Sequence, residues 1–297
     1  MTDFATRWNE YDDRVDPGSV GQRRIVDAHT HIGRVRYAER PLEPDDLIEY
    51  MDEYGVEKSV LLPLESPEST GYYLTTDEVL DAAEEYPDRI VPFCSVDPRM
   101  LLDEDGFRTV VERYVARGAR GFGELKAGVP IDDERMQLLY DICADEGLPI
   151  LFHVDDTCCV DELGLPGLER MVRSYPDVPF IMHAHGWWAH ISADVREEDV
   201  GSYPTRPVEP GGRCDELLSA YDNLYADISM GSGFNAITRD EEYGQEFLER
   251  HHEKLLFGTD FLYADQKLPH YAFFEEFDLN ERAWENICYR NVERLLR

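Results

Sequence analysis

The stretch Ile25-Val26-Asp27-Ala28-His29-Thr30-His31 reads as a short apolar strand that ends in an HxH pair. On an extended strand, residues two apart point to one face, so His29 and His31 can bring two neutral imidazoles to a single metal ion. Outward from this stretch, short apolar runs alternate about eight times with longer amphipathic, acidic segments. The candidate strands are Arg24 to His31, Lys58 to Leu62, Ile90 to Val96, Ala119 to Leu125, Pro149 to Val154, Pro179 to His183, Asn223 to Ile228 and Lys254 to Gly258. Helical patterns lie between them: Asp45 to Tyr54, Thr76 to Tyr86, Gly106 to Arg117, Asp132 to Glu146 and Gly167 to Tyr175. Strand then helix, repeated, demands a parallel sheet, and eight repeats predict an α/β chain folded as a (β/α)8 TIM barrel. The barrel is expected over 23–297, a single domain behind a polar amino-terminal arm at 1–22.

Turn chemistry agrees with these boundaries. Tyr86-Pro87-Asp88, Glu146-Gly147-Leu148-Pro149 and Tyr175-Pro176-Asp177 each stop a helix just before an apolar run. Trp187 to Gly212, with Pro204, Pro207 and Pro210, is too long for an ordinary connection and is expected to form a lid after the sixth strand. A terminal helix is expected from Asn280 to Arg297, packed on the outside.

The 297 residues carry 63 acidic and 29 basic side chains, a formal net charge of -34. A phosphate backbone or an anionic membrane is repelled by such a field, so neither nucleic acid nor membrane is an expected partner. Four of the basic residues are lysines (Lys58, Lys126, Lys254, Lys267) and the rest are arginines, while the acids are spread along the whole chain. That composition suits a halophile's high-salt cytoplasm, where screening shortens repulsion. The six cysteines show no CxxC spacing, which fits a reducing cytoplasm, and Met1 to Gln22 lacks the apolar segment of a signal peptide. This arm could wrap a neighbouring copy, so a homo-oligomer is allowed.

In a barrel of this kind the active residues sit at the carboxyl ends of the strands. The first candidate strand ends in His29 and His31, the fourth in Glu124, the fifth in His153 and the sixth in His183 with His185 beyond it. The eighth runs into Asp260. Groups able to bind a metal therefore fall at five strand ends. Lys126 lies two residues beyond Glu124 and faces the same way if the strand continues, and His183 and His185 likewise share a face, so periodicity alone separates neither pair. Arg34, which could hold a carboxylate in a bidentate pair, Asp155, Asp156, Trp187 and Trp188 are candidate pocket residues. His190, His251, His252 and His270 match no strand end and read as surface or helix residues.

Four motifs, Val26-Asp27-Ala28-His29-Thr30-His31, Gly121-Phe122-Gly123-Glu124, Pro149-Ile150-Leu151-Phe152-His153 and Leu256-Phe257-Gly258-Thr259-Asp260, occur in this order. With them the chain resembles the amidohydrolase superfamily, in its amidohydrolase-2 branch, which includes the aminocarboxymuconate semialdehyde decarboxylase type. The resemblance spans roughly Ile25 to Arg297. It implies one divalent metal or two, zinc first with manganese or iron as alternatives, held by His29, His31, His153 and Asp260. Glu124 is similar to a fourth-strand ligand that can bridge two metals, whereas other branches carry a carboxylated lysine there, so Lys126 stays open as a ligand or as a substrate-anion contact. His183-Ala184-His185-Gly186 departs from the family spacing, with His185 in place of a glycine. His183 is expected beside the metal, polarising the substrate or binding a second ion, with His185 at the loop entrance. Arg34, His185, Lys126 and Trp187 are the expected substrate contacts.

Asp260 would bind metal and take the proton from bound water. The expected activity is metal-dependent hydrolysis of an ester, lactone or amide bond of a small organic substrate. A non-oxidative decarboxylase of an aromatic or unsaturated acid is the competing enzyme reading, and a non-catalytic barrel with a vestigial metal site the reading from another class.

Overall fold

The computed structural model describes residues 3–20, 23–36 and 38–296. All eight expected strands are present, all but β2 shorter than the apolar runs that announce them: β1 Ile25–Thr30, β2 Val56–Leu61, β3 Ile90–Pro92, β4 Phe122–Leu125, β5 Ile150–His153, β6 Phe180–His183, β7 Leu224–Asp227 and β8 Leu255–Leu256. Every pairing is parallel, in the orders β1-β2-β3 and β4-β5-β6-β7-β8. Both seams are bridged. Cys94 N donates to Gly121 O at 2.9 Å and Gly123 N to Cys94 O at 2.7 Å, while Ala28 N donates to Phe257 O at 2.9 Å and His31 N to Phe261 O at 2.8 Å. The eight strands thus follow one another around a ring in chain order, the arrangement of a (β/α)8 barrel.

The helices form where their ends are chemically provided for. Thr76–Glu85 starts in a capping box between Thr75 and Glu78, and Glu134–Glu146 stops at Gly147, whose φ of 67° is open to glycine at little cost. Their apolar faces pack on the outside of the strands. A second, inner apolar layer fills the ring with Val26, Ala28, Val60, Leu62, Phe93, Leu151, Ile181 and Leu256, and Val292 and Leu295 of the last helix join it. The expected terminal helix runs continuously through Glu281–Glu285, a π turn at Asn286–Arg290 and Asn291–Leu295; its predicted end at Arg297 lies outside the described residues.

The amino-terminal arm departs from expectation. Its helix Phe4–Asp12 packs on the same chain, with Trp8 5.1 Å from the Phe234 ring and 5.6 Å from the His270 ring, because Phe4, Trp8 and Tyr11 recur on one helical face. The described part of the arm therefore covers its own barrel; Met1, Thr2, Gly21 and Gln22 lie outside the described residues. His190, His251 and His270, expected as surface or helix residues, are buried. His270 sits among Trp8, Phe234 and Phe273, where its ring fills apolar space. No helix among the described residues is long and apolar enough to cross a membrane.

Candidate metal centre and active site

Strand alternation builds the centre one layer above the inner apolar core. Leu151 and His153 on β5, Ile181 and His183 on β6, and Tyr225 and Asp227 on β7 are each two apart, so the apolar member fills the ring and the polar member caps it. β1 breaks the rule: Val26 and Ala28 belong to the inner layer, yet His29 and His31 also face the centre. Its pairing with β2 shifts register between Asp27 and Thr30, which turns the odd-numbered residues inward. Asp27 is turned to the seam instead, accepting from Tyr50 Oη and Thr259 Oγ1 at 2.6 Å each, and Asp260 N donates to His29 O at 2.8 Å. These bonds fix the segment that carries Asp260. Burial raises the Asp27 carboxyl to about 6, against the pull of Thr259 and Tyr50.

The donor atoms converge closely. His29 Nε2 and His31 Nε2 lie 3.1 Å apart. Glu124 Oε2 stands 3.4 Å from His31 Nε2 and 3.7 Å from His29 Nε2; Asp260 Oδ1 approaches the same atoms to 3.3 and 3.7 Å. On the other side, Glu124 Oε1 is 2.6 Å from His153 Nδ1 and 3.9 Å from His183 Nε2, and Asp260 Oδ2 is 3.9 Å from His183 Nε2. Three overlapping donor groups result: His29, His31 and Glu124; His29, His183 and Asp260; Glu124, His153 and His183. Imidazole nitrogens and carboxylate oxygens gathered at this separation, nearly all buried, are a donor set for a divalent metal ion.

The far sides of the rings are committed. Asp227, fully buried, accepts from Nδ1 of both His29, at 2.8 Å, and His183, at 2.9 Å, and Ser229 Oγ donates to the same carboxylate at 2.6 Å. His31 Nδ1 donates to Leu62 O at 2.8 Å. With Nδ1 donating, a neutral ring presents its Nε2 lone pair to the centre, the tautomer that a metal ligand requires. His153 is held between two carboxylates, Glu124 at Nδ1 and Asp155 at Nε2, 3.0 Å away.

Electrostatics follow from burial among opposite charges. Burial opposes ionisation of His29 and His31, but facing carboxylates outweigh it and raise both. Although burial pushes each up, Lys126 and then His153 hold Glu124 below the ordinary carboxylate range, His183 and His29 do the same for Asp227, and His29 and His31 for Asp260. His185 is lowered to about 4, by burial first and then by the positive potential of His153 and His183.

A cavity of about 180 Å³ opens on the cluster, lined by His31, Glu124, His153, His183 and Asp260 on one side. Ile32, Val35, Leu64, Met230 and Leu262 form its apolar wall, and Tyr72, Lys126, His185, Ser232 and Tyr203 complete it. Ala184, Met230 and Asp260 line it with positive φ of 77°, 50° and 55°, strained backbone of the kind that gathers at functional sites. A larger cleft of about 810 Å³ lies at the opposite end of the ring, beside Val26, Lys58, Val91 and Arg120, and none of the metal-competent groups among the described residues falls there.

The family model of the amidohydrolases, Amidohydro_2, matches residues 26–297. The chain belongs to the amidohydrolase family. It is an enzyme of that family, which sets aside the vestigial barrel. None of the curated proteins matches it in sequence. Among solved structures it is similar to an uncharacterized TIM-barrel protein from Bordetella bronchiseptica, at 19% identity and a TM-score of 0.65, covering 92% of this chain and 98% of that one. It is also similar to a probable 2-pyrone-4,6-dicarboxylic acid hydrolase from Acinetobacter baumannii with citric acid bound, at 15% identity and 0.60, covering 92% and 99%. A third is 5-carboxyvanillate decarboxylase from Novosphingobium aromaticivorans, complexed with manganese and 4-hydroxy-3-methoxy-5-nitrobenzoic acid, at 14% identity and 0.59, covering 93% and 96%. At these identities the likeness is one of fold.

Within this amidohydrolase the expected residues fall into two sets. His29, His31, Glu124, His153, His183 and Asp260 come together, with Lys126 and His185 on the cavity wall. Trp187 and Arg34 do not join them. Trp187 is fully buried away from the cavity lining, because the first turn of the short helix His185–Ala189 directs it into the outer core. Arg34 follows Gly33, whose backbone pairs with Leu42, and is left exposed. Asp156 is likewise exposed. The long stretch after β6 contributes Tyr203, tied down by Arg206, which bonds Asp194 at 2.7 Å and Asp199 at 2.8 Å. Sequence reading missed Asp227, Tyr72 and Tyr203. Asp227 carried a signal, a carboxylate closing the apolar run Leu224-Tyr225-Ala226; the two tyrosines carried none.

Proposed function

We propose that this amidohydrolase is a metal-dependent hydrolase acting on an ester, lactone or amide bond of a small organic substrate. One observation carries the reading: Asp260 turns Oδ1 to the His29/His31 pair and Oδ2 to His183 while lining the cavity. A carboxylate so placed can share the metal-binding donor set and still reach a proton on the substrate side. His29, His31, Glu124 and Asp260 would hold the ion, with His153 and His183 beside Glu124 for a second one; zinc is the first choice, manganese or iron the alternatives. Such an ion polarises a carbonyl and lowers the pKa of bound water to about 7. Asp260 takes the proton from the attacking water and returns it to the leaving group. Asp227 keeps His29 and His183 from rotating. The apolar wall excludes bulk water.

The decarboxylase reading is supported by Lys126, a cation on the cavity wall able to orient a carboxylate. Isotope-labelled water decides between them. Incorporation of ¹⁸O into an acid product, with metal content near one or two ions per chain, is the expected result; carbon dioxide release without incorporation overturns hydrolysis. We also assign the enzyme to a reducing cytoplasm, on the support of six unpaired, buried cysteines.

A further inference from the structure

We infer that the substrate is a small organic acid, held by its carboxylate on Lys126 while its scissile bond faces the cluster. The inference rests on the hydrolytic reading of the site and adds to it the substrate class.

Lys126 stands two residues beyond Glu124, is 6% exposed and lines the cavity. Its Nζ donates to Tyr72 Oη at 2.6 Å, and among the described residues no carboxylate oxygen lies within 4.0 Å of it. An ammonium has three donors, and a neutral phenol satisfies one. The nearest acid along the strand is spoken for: Glu124 turns Oε1 to His153 and Oε2 to His31 and His29. Asp260, the other acid on the cavity wall, turns to His31, His29 and His183, and the rest of the wall offers apolar side chains, histidine, and tyrosine and serine hydroxyls. Despite burial, the charge of Glu124 keeps the Lys126 ammonium ionised, yet among the described residues no acid bonds its remaining donors, and a ligand anion can fill them. A carboxylate does so with charge-assisted hydrogen bonds to the two remaining donors. At about 180 Å³ the cavity is below the ~300–1,000 Å³ of drug-sized pockets, so the acid is a short chain or a single ring.

Two measurements test the anchor and the reaction separately. The first titrates the metal-loaded protein with benzoate and with its neutral isostere benzamide by calorimetry. Wild type should prefer benzoate at least tenfold; Lys126→Met should lose that preference, and Lys126→Arg, which keeps the charge, should retain most of it. Thermal melts of each variant certify folding. Equal benzoate preference in wild type and Lys126→Met, or no benzoate binding to wild type, overturns the anchor. The second follows methanol release from monomethyl glutarate and methyl pentanoate. The acid ester should be favoured, and Lys126→Met should lower its kcat/KM by about a hundredfold, at least ten times more than that of the neutral ester. Failure to hydrolyse either ester together with Lys126-dependent benzoate binding overturns hydrolysis of open-chain esters and leaves the anchor standing.

Discussion

At the scale of single residues, Asp227 governs two of the histidines without facing the substrate. It holds Nδ1 of both His29 and His183, so Asp227→Asn weakens two orienting bonds and allows the rings to present a protonated Nε2. Metal affinity, read by chelator competition, should fall about 10–100-fold with the fold intact. Unchanged affinity would show that the ring orientations are set elsewhere. His270 supplies a test by pH. Burial lowers it to about 4 from 6.5, with the Met230 carbonyl pulling the other way. A native pKa below the unfolded one contributes stability that is present above about 6.5 and lost as pH falls through it toward 4. Between pH 7 and 5 wild type should therefore lose about 2 kcal/mol that His270→Gln retains, compared by denaturant midpoints at the two values. Equal losses would refute the assignment to His270. The metal-facing residues were legible in the sequence because strand alternation and the strand-end rule act on residues close in sequence. Asp227 was legible in principle, whereas Tyr72 and Tyr203 reach the cavity from loops whose path is set by packing across the molecule.

At the scale of elements, the helix Phe4–Asp12 does two jobs. Trp8 packs against Phe234 and His270, and Phe4 stacks on Tyr203 at 4.0 Å with the planes 10° apart. Tyr203 in turn stands 4.6 Å from His185 and lines the cavity. Trp8 is half-buried, so Trp8→Ala should cost about 2–3 kcal/mol, below the 3–5 of fully buried aromatics, as measured by urea unfolding. Phe4→Ala removes a support rather than a reacting group. It should raise KM several-fold with kcat little altered, and an equal fall in kcat would give Phe4 a different role. The strands and their order were readable because period-2 and period-3.6 patterns are local, and a glycine at position 147 marks a helix end by its chemistry alone. The arm reads as polar in sequence because its apolar residues form no continuous run; Phe4, Trp8 and Tyr11 make a narrow stripe that has meaning only once Phe234 and Phe273 are beneath it.

At the scale of the whole molecule, charge is the dominant fact. With 63 acidic residues against 29 basic ones, most acids have no cation to meet, even though arginines take several at once: Arg117 reaches Asp77 and Asp81 at 2.7 Å each and Glu84 at 3.0 Å. Salt acts on this surface in two opposed ways. It weakens the exposed ion pairs, each worth about 0–1 kcal/mol, and it weakens repulsion among the unpaired acids, which acts on many more pairs. The imbalance of -34 decides the sign, so Tm should rise with KCl. The shape of the rise identifies its cause. The Debye length falls from about 30 Å at 0.01 M to about 10 Å at 0.1 M and about 3 Å at 1 M, so a screening effect is steepest below about 0.5 M and then levels off. A rise that continues in proportion to concentration, or one reproduced by sucrose, would instead reflect solute exclusion from the protein surface, which is insensitive to charge. A Tm indifferent to salt would mean that repulsion among the acids does not exceed what the ion pairs lose, and the composition would then carry no information about the medium in which this enzyme works.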